Sequence, residues 1–369
     1  MATWGALAAL AALQSLVVGL VLVPLARRWA APLGLIDAPN LARKQHDRPI
    51  PRAGGVAIFP AFWGCLAANL ALAAWVVPGL DFLPGSVRVL AANIGHRAGQ
   101  IAGLFAGCLI IFVLGVLDDR LNLPPLVRLG VQLLATVPLI ASGIVLKLFL
   151  PPWLAAPITA LWLVGLTNSF NFLDNMNGAT SGVSVIICAV MAVLAALSRE
   201  WYMLLLFAAL AGAVLAFWFF NFPRASIFLG DAGSTHLGFL LGALAVLVTY
   251  YQEGVPTRLP ILIPLVVFGV PLFDTISVMW IRWRAGRPLM EGDTNHLSHR
   301  LVGLGMTRTE AVLFLYGATL ATGLAALPLR EVRWETGLFQ VVVISLIFFL
   351  LHWLERVSVR RRAEHSPRS

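Results

Sequence analysis

Eleven apolar runs follow one another along the chain, most of them close to the ~20 residues that a helix needs to cross a bilayer. They cover 3–26, 54–77, 99–117, 126–146, 153–167, 179–197, 201–219, 235–251, 259–281, 310–328 and 337–354, the fifth being the shortest. Lipid offers no hydrogen bonds, so a spanning run of this length satisfies its own backbone as a helix. Composition agrees: 59% of residues are hydrophobic and 12% charged, against about 45–50% and 25% in a soluble domain. The expectation is an all-α, polytopic integral membrane protein with about 11 transmembrane helices. A single domain over 1–355 is followed by a basic cytoplasmic tail, 356–369. Cys65, Cys108 and Cys188 all lie inside apolar runs, which suits packing rather than a disulfide framework. The first run has no basic residue before it and is followed by Arg27 and Arg28, so it reads as a retained helix rather than a signal peptide.

Lysine and arginine set the orientation, because loops rich in them stay in the cytoplasm. With strict alternation, 19 of the 26 basic residues fall on one side, including those between Arg27 and Arg52, between Arg282 and Arg308, and in the tail. That side is predicted to be cytoplasmic, with the N-terminus outside and the C-terminus inside. The net charge of +9 is therefore a matter of sidedness and implies no nucleic-acid partner. Every chemically loaded polar stretch falls on the same side. No internal repeat stands out, which argues against a transporter built from inverted repeats.

Three of these stretches carry carboxylates. "GVLDDR" puts Asp118 and Asp119 together at the inner end of the third run. A solvated helix end would explain the pair as well as a general base or a metal site would. "FLGDAGS" sets Asp231 between glycines just ahead of the eighth run. Glycine lets a ligand approach the backbone, the helix start offers amides to an anion, and Mg²⁺ would join the carboxylate to a phosphate. "TNSFNFLDNMNGATSG" interrupts the hydrocarbon with Asn168, Asn171, Asp174 and Asn177 at intervals of three. If the fifth helix continues through them they share roughly one face, with donors and acceptors suited to a base, a sugar or a phosphate.

Two further loops are basic. "GDTNHLSHRLVGLG" contains His296, His299 and Arg300. It has too few soft ligands for a closed zinc site, and arginine beside histidine suits phosphate better. "RKQHDRPIPRAGG" contains Lys44 and His46 beside Arg43 and Arg52, a patch that lipid headgroups would also satisfy. An acidic pair, an Asp–Gly turn, an amide face and two basic loops at one membrane face are what joining a phosphate-bearing lipid to a phosphate-bearing soluble substrate requires.

In order, the motifs "PNxxRKxHxxPxPRAGG", "GVLDDRxNLxP", "NxxNFLDNMNG", "FLGDAGS", "VPLFDT" and "NHLSHRLxxLG" resemble those of the polyprenyl-phosphate N-acetylhexosamine-1-phosphate transferases, from about Pro39 to Gly305. The resemblance implies a multi-pass enzyme of the bacterial inner membrane. It implies transfer of a sugar-1-phosphate, GlcNAc-1-phosphate foremost, from a UDP-sugar to undecaprenyl phosphate, with Mg²⁺ or Mn²⁺ as cofactor. By motif, Asp118 and Asp119 match the catalytic acidic pair and Asp231 the metal-binding aspartate. Asn168, Asn171, Asp174 and Asn177 match the nucleotide-sugar motif. Lys44, His46, His296, His299 and Arg300 match the phosphate-binding loops. Membrane lipid surrounds such an enzyme, and a homodimer is left open. Three motifs depart from the family pattern. Asn122 stands where the acidic motif carries a third aspartate. Asp174-Asn175-Met176-Asn177-Gly178 replaces a frequent Asp-Gly-x-Asp-Gly. Ser298 stands where a further histidine is frequent. The histidine motif looks more like the GlcNAc-1-phosphate branch than the phospho-MurNAc-pentapeptide transferases of peptidoglycan synthesis, which are the rival enzyme. A lipid-linked sugar transporter or flippase is the rival from another class. For that rival the buried charge would be Asp274, two turns from the inner end of its helix.

Overall fold

A computed structural model describes residues 2–37, 49–81, 84–146, 151–250, 257–288, 295–331 and 334–365. Among the described residues the fold is helical apart from one antiparallel pair of two-residue strands. In chain order it runs α1 (Ala2–Trp29), β1 (Ile36–Asp37), β2 (Ile50–Pro51), α2 (Gly54–Trp75), α3 (Gly85–Ala92), α4 (Ala98–Leu121), α5 (Pro125–Ala141), α6 (Pro152–Leu173) and α7 (Ala179–Leu197). It continues with α8 (Trp201–Asn221), α9 (Asp231–Leu247), α10 (Ile263–Val267), α11 (Gly269–Arg284), α12 (Leu297–Gly303), α13 (Arg308–Ala326) and α14 (Trp334–His365).

Among the described residues, seven helices are long and apolar enough to cross a membrane. An eighth is added if the bent pair Leu259–Val267 and Gly269–Arg284 counts as one span. Pro125–Ala141, Asp231–Leu247 and Gly337–Leu350 are apolar but shorter. The chain is thus an all-α, multi-pass membrane protein, and among the described residues each of the eleven apolar runs is mostly helix. The run 259–281, read from sequence as one span, is bent by 71°. It holds Pro260, Pro264 and Pro271 with Gly269, and proline removes the N–H that would continue a helical ladder.

Helix α9 is the hub. It packs against α2, α4, α6 and α7, and it is buried from Ala232 to Ala245. Two glycines allow neighbouring backbones to press on its first turn. A Cβ on Gly55 of α2 would lie 2.3 Å from the Gly233 nitrogen, and one on Gly115 of α4 would lie 2.4 Å from the Ala232 Cα. Ahead of the helix, Phe228 N–H bonds the Pro51 carbonyl at 2.7 Å, and Gly54 and Gly55 donate to Phe228 and Leu229 at 2.9 Å. These bonds dock the hairpin on the entry to α9. Ile36 pairs with Pro51 and Asp37 with Ile50, in antiparallel register.

Candidate functional site

The polar ends of α4, α6 and α9 meet at one end of the bundle, and the contacts are direct. Asp119, in the last turn of α4, accepts hydrogen bonds from the backbone N–H groups of Asp231 and Ala232, each at 3.0 Å. A helix leaves its first N–H groups without partners and carries positive charge at that end. The Asp119 carboxylate satisfies both demands for α9, across 112 residues of sequence. Gly230 makes this possible: its φ is +73°, and a Cβ there would lie 2.7 Å from Asp119 Oδ2.

Asp118 faces another way. Its Oδ1 accepts from Leu123 N–H at 2.8 Å and its Oδ2 from Arg128 Nη1 at 2.9 Å, and the residue is 5% exposed. The side chain also borders Asp231. Asp231, the first residue of α9, is held from the third side by Asn171, whose Nδ2 lies 2.6 Å from Asp231 Oδ1 and 3.1 Å from Ser234 Oγ. The helix begins at Asp231, four residues earlier than the apolar run, because glycine and the Asp119 cap, rather than hydrocarbon, set its start.

The asparagine motif does not present one face. Helix α6 does continue past Thr167, but it ends at Leu173. Asn168 turns to α5, where Nδ2 donates to Gln132 Oε1 at 2.7 Å and to the Val164 carbonyl at 2.8 Å. Asn171 turns to α9. Asp174 caps the helix with φ −77° and ψ 46° and interacts with the Thr180 side chain. Asn177 donates to the Pro223 carbonyl at 3.3 Å. The three-residue spacing fails as a face because the helix stops inside the motif. Of the four, Asn171 and Asp174 border Asp231. The carboxyl of Asp174 is pushed up to about 7, first by burial and then by the Asp231 charge; the Thr180 bond and Arg52 oppose the shift.

The histidine motif is anchored by Asp274 of α11, which is 1% exposed. His296 Nδ1 lies 2.9 Å from Asp274 Oδ2, Leu297 N–H donates to Oδ1, and Arg300 Nη2 stands 3.6 Å from the same oxygen. Arg300 also donates to Ser277 Oγ at 2.7 Å. The charge in α11 is therefore matched by the histidine motif at the end of the bundle. His296 packs edge-on to Phe172, with ring centroids 5.8 Å apart, and Ser298 Oγ donates to Asn175 Oδ1. His299 follows on α12. Lys44 and His46 lie outside the described residues. Arg52, which closes the hairpin through its ion pair with Asp37, stands near Asp119 and Asp174.

Sequence reasoning passed over Arg128, Gln132, Thr180 and Asn221. Asn221 accepts from Gly178 N–H at 2.6 Å and donates to the Ile227 carbonyl at 2.9 Å, tying the asparagine motif to the strand-like approach to α9. Its place just before "FPRASIFLGD" is a usable signal: a lone amide closing an apolar helix needs partners.

Four carboxylates, Asp118, Asp119, Asp174 and Asp231, thus cluster with Arg128 and Arg52 as the cations that act on them. Among the described residues no three His, Cys, Asp or Glu side chains converge as a ready-made metal cage. The donors are oxygens, the site carries excess negative charge, and one or two carboxylates suffice for a Mg²⁺-type ion that takes its other ligands from water and phosphate. The residues present fit such an ion.

A profile described as "Glycosyl transferase family 4" matches residues 101–249. A Bacillus subtilis protein named "Probable undecaprenyl-phosphate N-acetylglucosaminyl 1-phosphate transferase" is 32% identical over 343 residues, covering 90% of this chain and 88% of the relative. The decaprenyl-phosphate N-acetylglucosaminephosphotransferase of Mycobacterium tuberculosis is 29% identical, covering 79% and 74%. The undecaprenyl-phosphate alpha-N-acetylglucosaminyl 1-phosphate transferase of Yersinia pestis is 28% identical, covering 82% and 78%. Length, identity and motif order agree, and the chain belongs to glycosyl transferase family 4, among the polyprenyl-phosphate N-acetylhexosamine-1-phosphate transferases that its motifs resemble.

Proposed function

We propose that this chain transfers GlcNAc-1-phosphate from UDP-GlcNAc to undecaprenyl phosphate and releases UMP, at the cytoplasmic face of the bacterial inner membrane. The observation that carries the reading is Asp231: a carboxylate on the first turn of a buried helix, held by Asn171 and flanked by Asp118, with Asp119 fixing the turn beneath it. The 19-to-7 division of basic residues supports the sidedness, with eleven crossings, the N-terminus outside and the tail inside.

The chemistry needs little covalent help from the protein. An oxygen of the lipid phosphate attacks the β-phosphorus of the nucleotide sugar; the bond from that phosphorus to the bridging oxygen breaks, and UMP leaves with the electron pair. A phosphate monoester is largely dianionic at neutral pH, so no strong base is required. Asp118 and Asp119 serve by position. Asp118 holds Arg128 at the site, and Asp119 fixes the turn that presents Asp231. Asp231, with Asp118 beside it, would hold Mg²⁺, which when bound neutralises charge on the pyrophosphate. Asn171 orients Asp231. Asp174 and Asn177 supply polar groups on the nucleotide-sugar side, while Asn168 braces α6 against α5. His296 and Arg300, aligned by Asp274, with His299 and the Lys44/His46 loop, supply the donors for phosphate oxygens.

The test is purified enzyme with undecaprenyl phosphate, Mg²⁺ and a panel of UDP-sugars. UDP-GlcNAc should release UMP fastest. Preference for UDP-MurNAc-pentapeptide would replace this reading with the peptidoglycan one, and no turnover of any UDP-sugar would end it.

A further inference from the structure

Two of the departures from the family pattern touch each other. Asn175 stands where the nucleotide motif frequently has glycine, Ser298 where the histidine motif frequently has histidine, and Ser298 Oγ donates to Asn175 Oδ1 across 123 residues of sequence. Both ends are fixed. Asn175 Nδ2 donates to the Phe172 carbonyl at 2.8 Å, which turns its oxygen toward Ser298. Ser298 is 1% exposed, and the helix that carries it is pinned on its neighbouring residues by Asp274. Asn175 follows Asp174 directly, and Ser298 lies between His296 and His299.

We infer that Asn175 and Ser298 form a positioning pair that clamps the histidine motif onto the nucleotide motif and so sets the fit for the sugar nucleotide. The inference rests on the transferase reading given above. Neither residue is a proton donor or acceptor in the reaction. The bond joins the residue after Asp174 to the residue between His296 and His299, so breaking it frees the two motifs to shift against each other.

The experiment is a double-mutant cycle on the full-length protein in detergent with undecaprenyl phosphate. It compares Asn175→Ala, Ser298→Ala and the double variant, reading KM for UDP-GlcNAc, KM for the lipid, kcat and melting temperature. Each single variant should raise the nucleotide-sugar KM roughly tenfold, the loss of one buried hydrogen bond, with the lipid KM changed less than twofold. The double variant should cost no more than the worse single one. Ser298→Thr, which keeps the hydroxyl, should retain most of the affinity. Ser298→Val, which keeps the shape of threonine without the hydroxyl, should behave like Ser298→Ala. Additive losses, an effect on the lipid KM instead, or melting-temperature losses with KM unchanged would overturn the pair. If an alanine variant does not fold, Ser298→Thr against Ser298→Val decides: equal KM values for UDP-GlcNAc refute the clamp. A wild-type protein without turnover would instead overturn the transferase reading.

Discussion

Replacing Asp119 separates its structural charge from any role as a base. Its carboxylate is bonded by two backbone N–H groups at 3.0 Å, and Ala232, one of the donors, is 1% exposed. In Asp119→Ala both amides lose their acceptor. The turn cannot move away to find water, because Gly55 and Gly115 hold it between two backbones. A buried polar group left unpaired costs about 1–3 kcal/mol, and losing a negative charge at a helix N-terminus adds about 0.3–1 kcal/mol. For two amides the total is roughly 2–7 kcal/mol, concentrated at the start of α9. Asp119→Asn keeps one acceptor oxygen and loses the charge, so it should cost about 1–3 kcal/mol. Hydrogen exchange in nanodiscs, followed in peptides covering 228–236, reads this locally. Protection there should fall roughly tenfold or more in Asp119→Asn and further in Asp119→Ala, while peptides from α13 are unchanged. Turnover should fall in the same order, since the displaced turn carries Asp231. Wild-type protection at 228–236 in both variants, with activity abolished, would refute the cap and return Asp119 to the chemistry.

Other outcomes follow from the same geometry. Asp231→Asn preserves size and removes the charge that would hold the metal; turnover should drop by at least ~10²-fold with the melting temperature kept, and normal turnover with unchanged Mg²⁺ dependence would contradict it. Asp174 has its carboxyl raised to about 7, so its protonated form is favoured by the fold: this contribution to stability is complete below the ordinary carboxylate range and is lost as pH rises through about 7. Binding of Mg²⁺ with UDP-GlcNAc should release a fraction of a proton near pH 7, seen by calorimetry in buffers of different ionisation heat, and Asp174→Asn should abolish it; an unchanged release in the variant would assign the proton elsewhere. On a background lacking Cys65, Cys108 and Cys188, a cysteine at Arg224 should be labelled only from the cytoplasm and one at Ser86 only from outside, and the opposite pattern would invert the topology.

The helices were legible because hydrocarbon length is a local property: each run of apolar residues had to be helix somewhere near its own limits. Their ends were less legible because partners distant in sequence set them. Helix α9 starts at Asp231 through a carboxylate on α4, and α6 runs on to Leu173 because Asn168 finds Gln132 on α5. The site residues were likewise visible as polar breaks in apolar sequence, but their division of labour was not. Periodicity put Asn168, Asn171, Asp174 and Asn177 on one face, whereas the helix stops at Leu173 and sends them to four different neighbours. Asp118 and Asp119 are adjacent in sequence and differ in task, one pairing Arg128 and the other capping α9. The bend between α10 and α11 was missed, since 259–281 was read as one span although Pro260, Pro264 and Pro271 lie in it.

The central claim is that phosphorus moves with the sugar. Purified enzyme, undecaprenyl phosphate and Mg²⁺ supplied with UDP-GlcNAc labelled at the β-phosphorus test it in one reaction, read by chromatographic separation of lipid from nucleotide. The account predicts that the label enters the lipid fraction in step with unlabelled UMP, one for one, and that neither forms without the lipid. Label retained in UDP, or released as GlcNAc-1-phosphate in the absence of lipid, would contradict it.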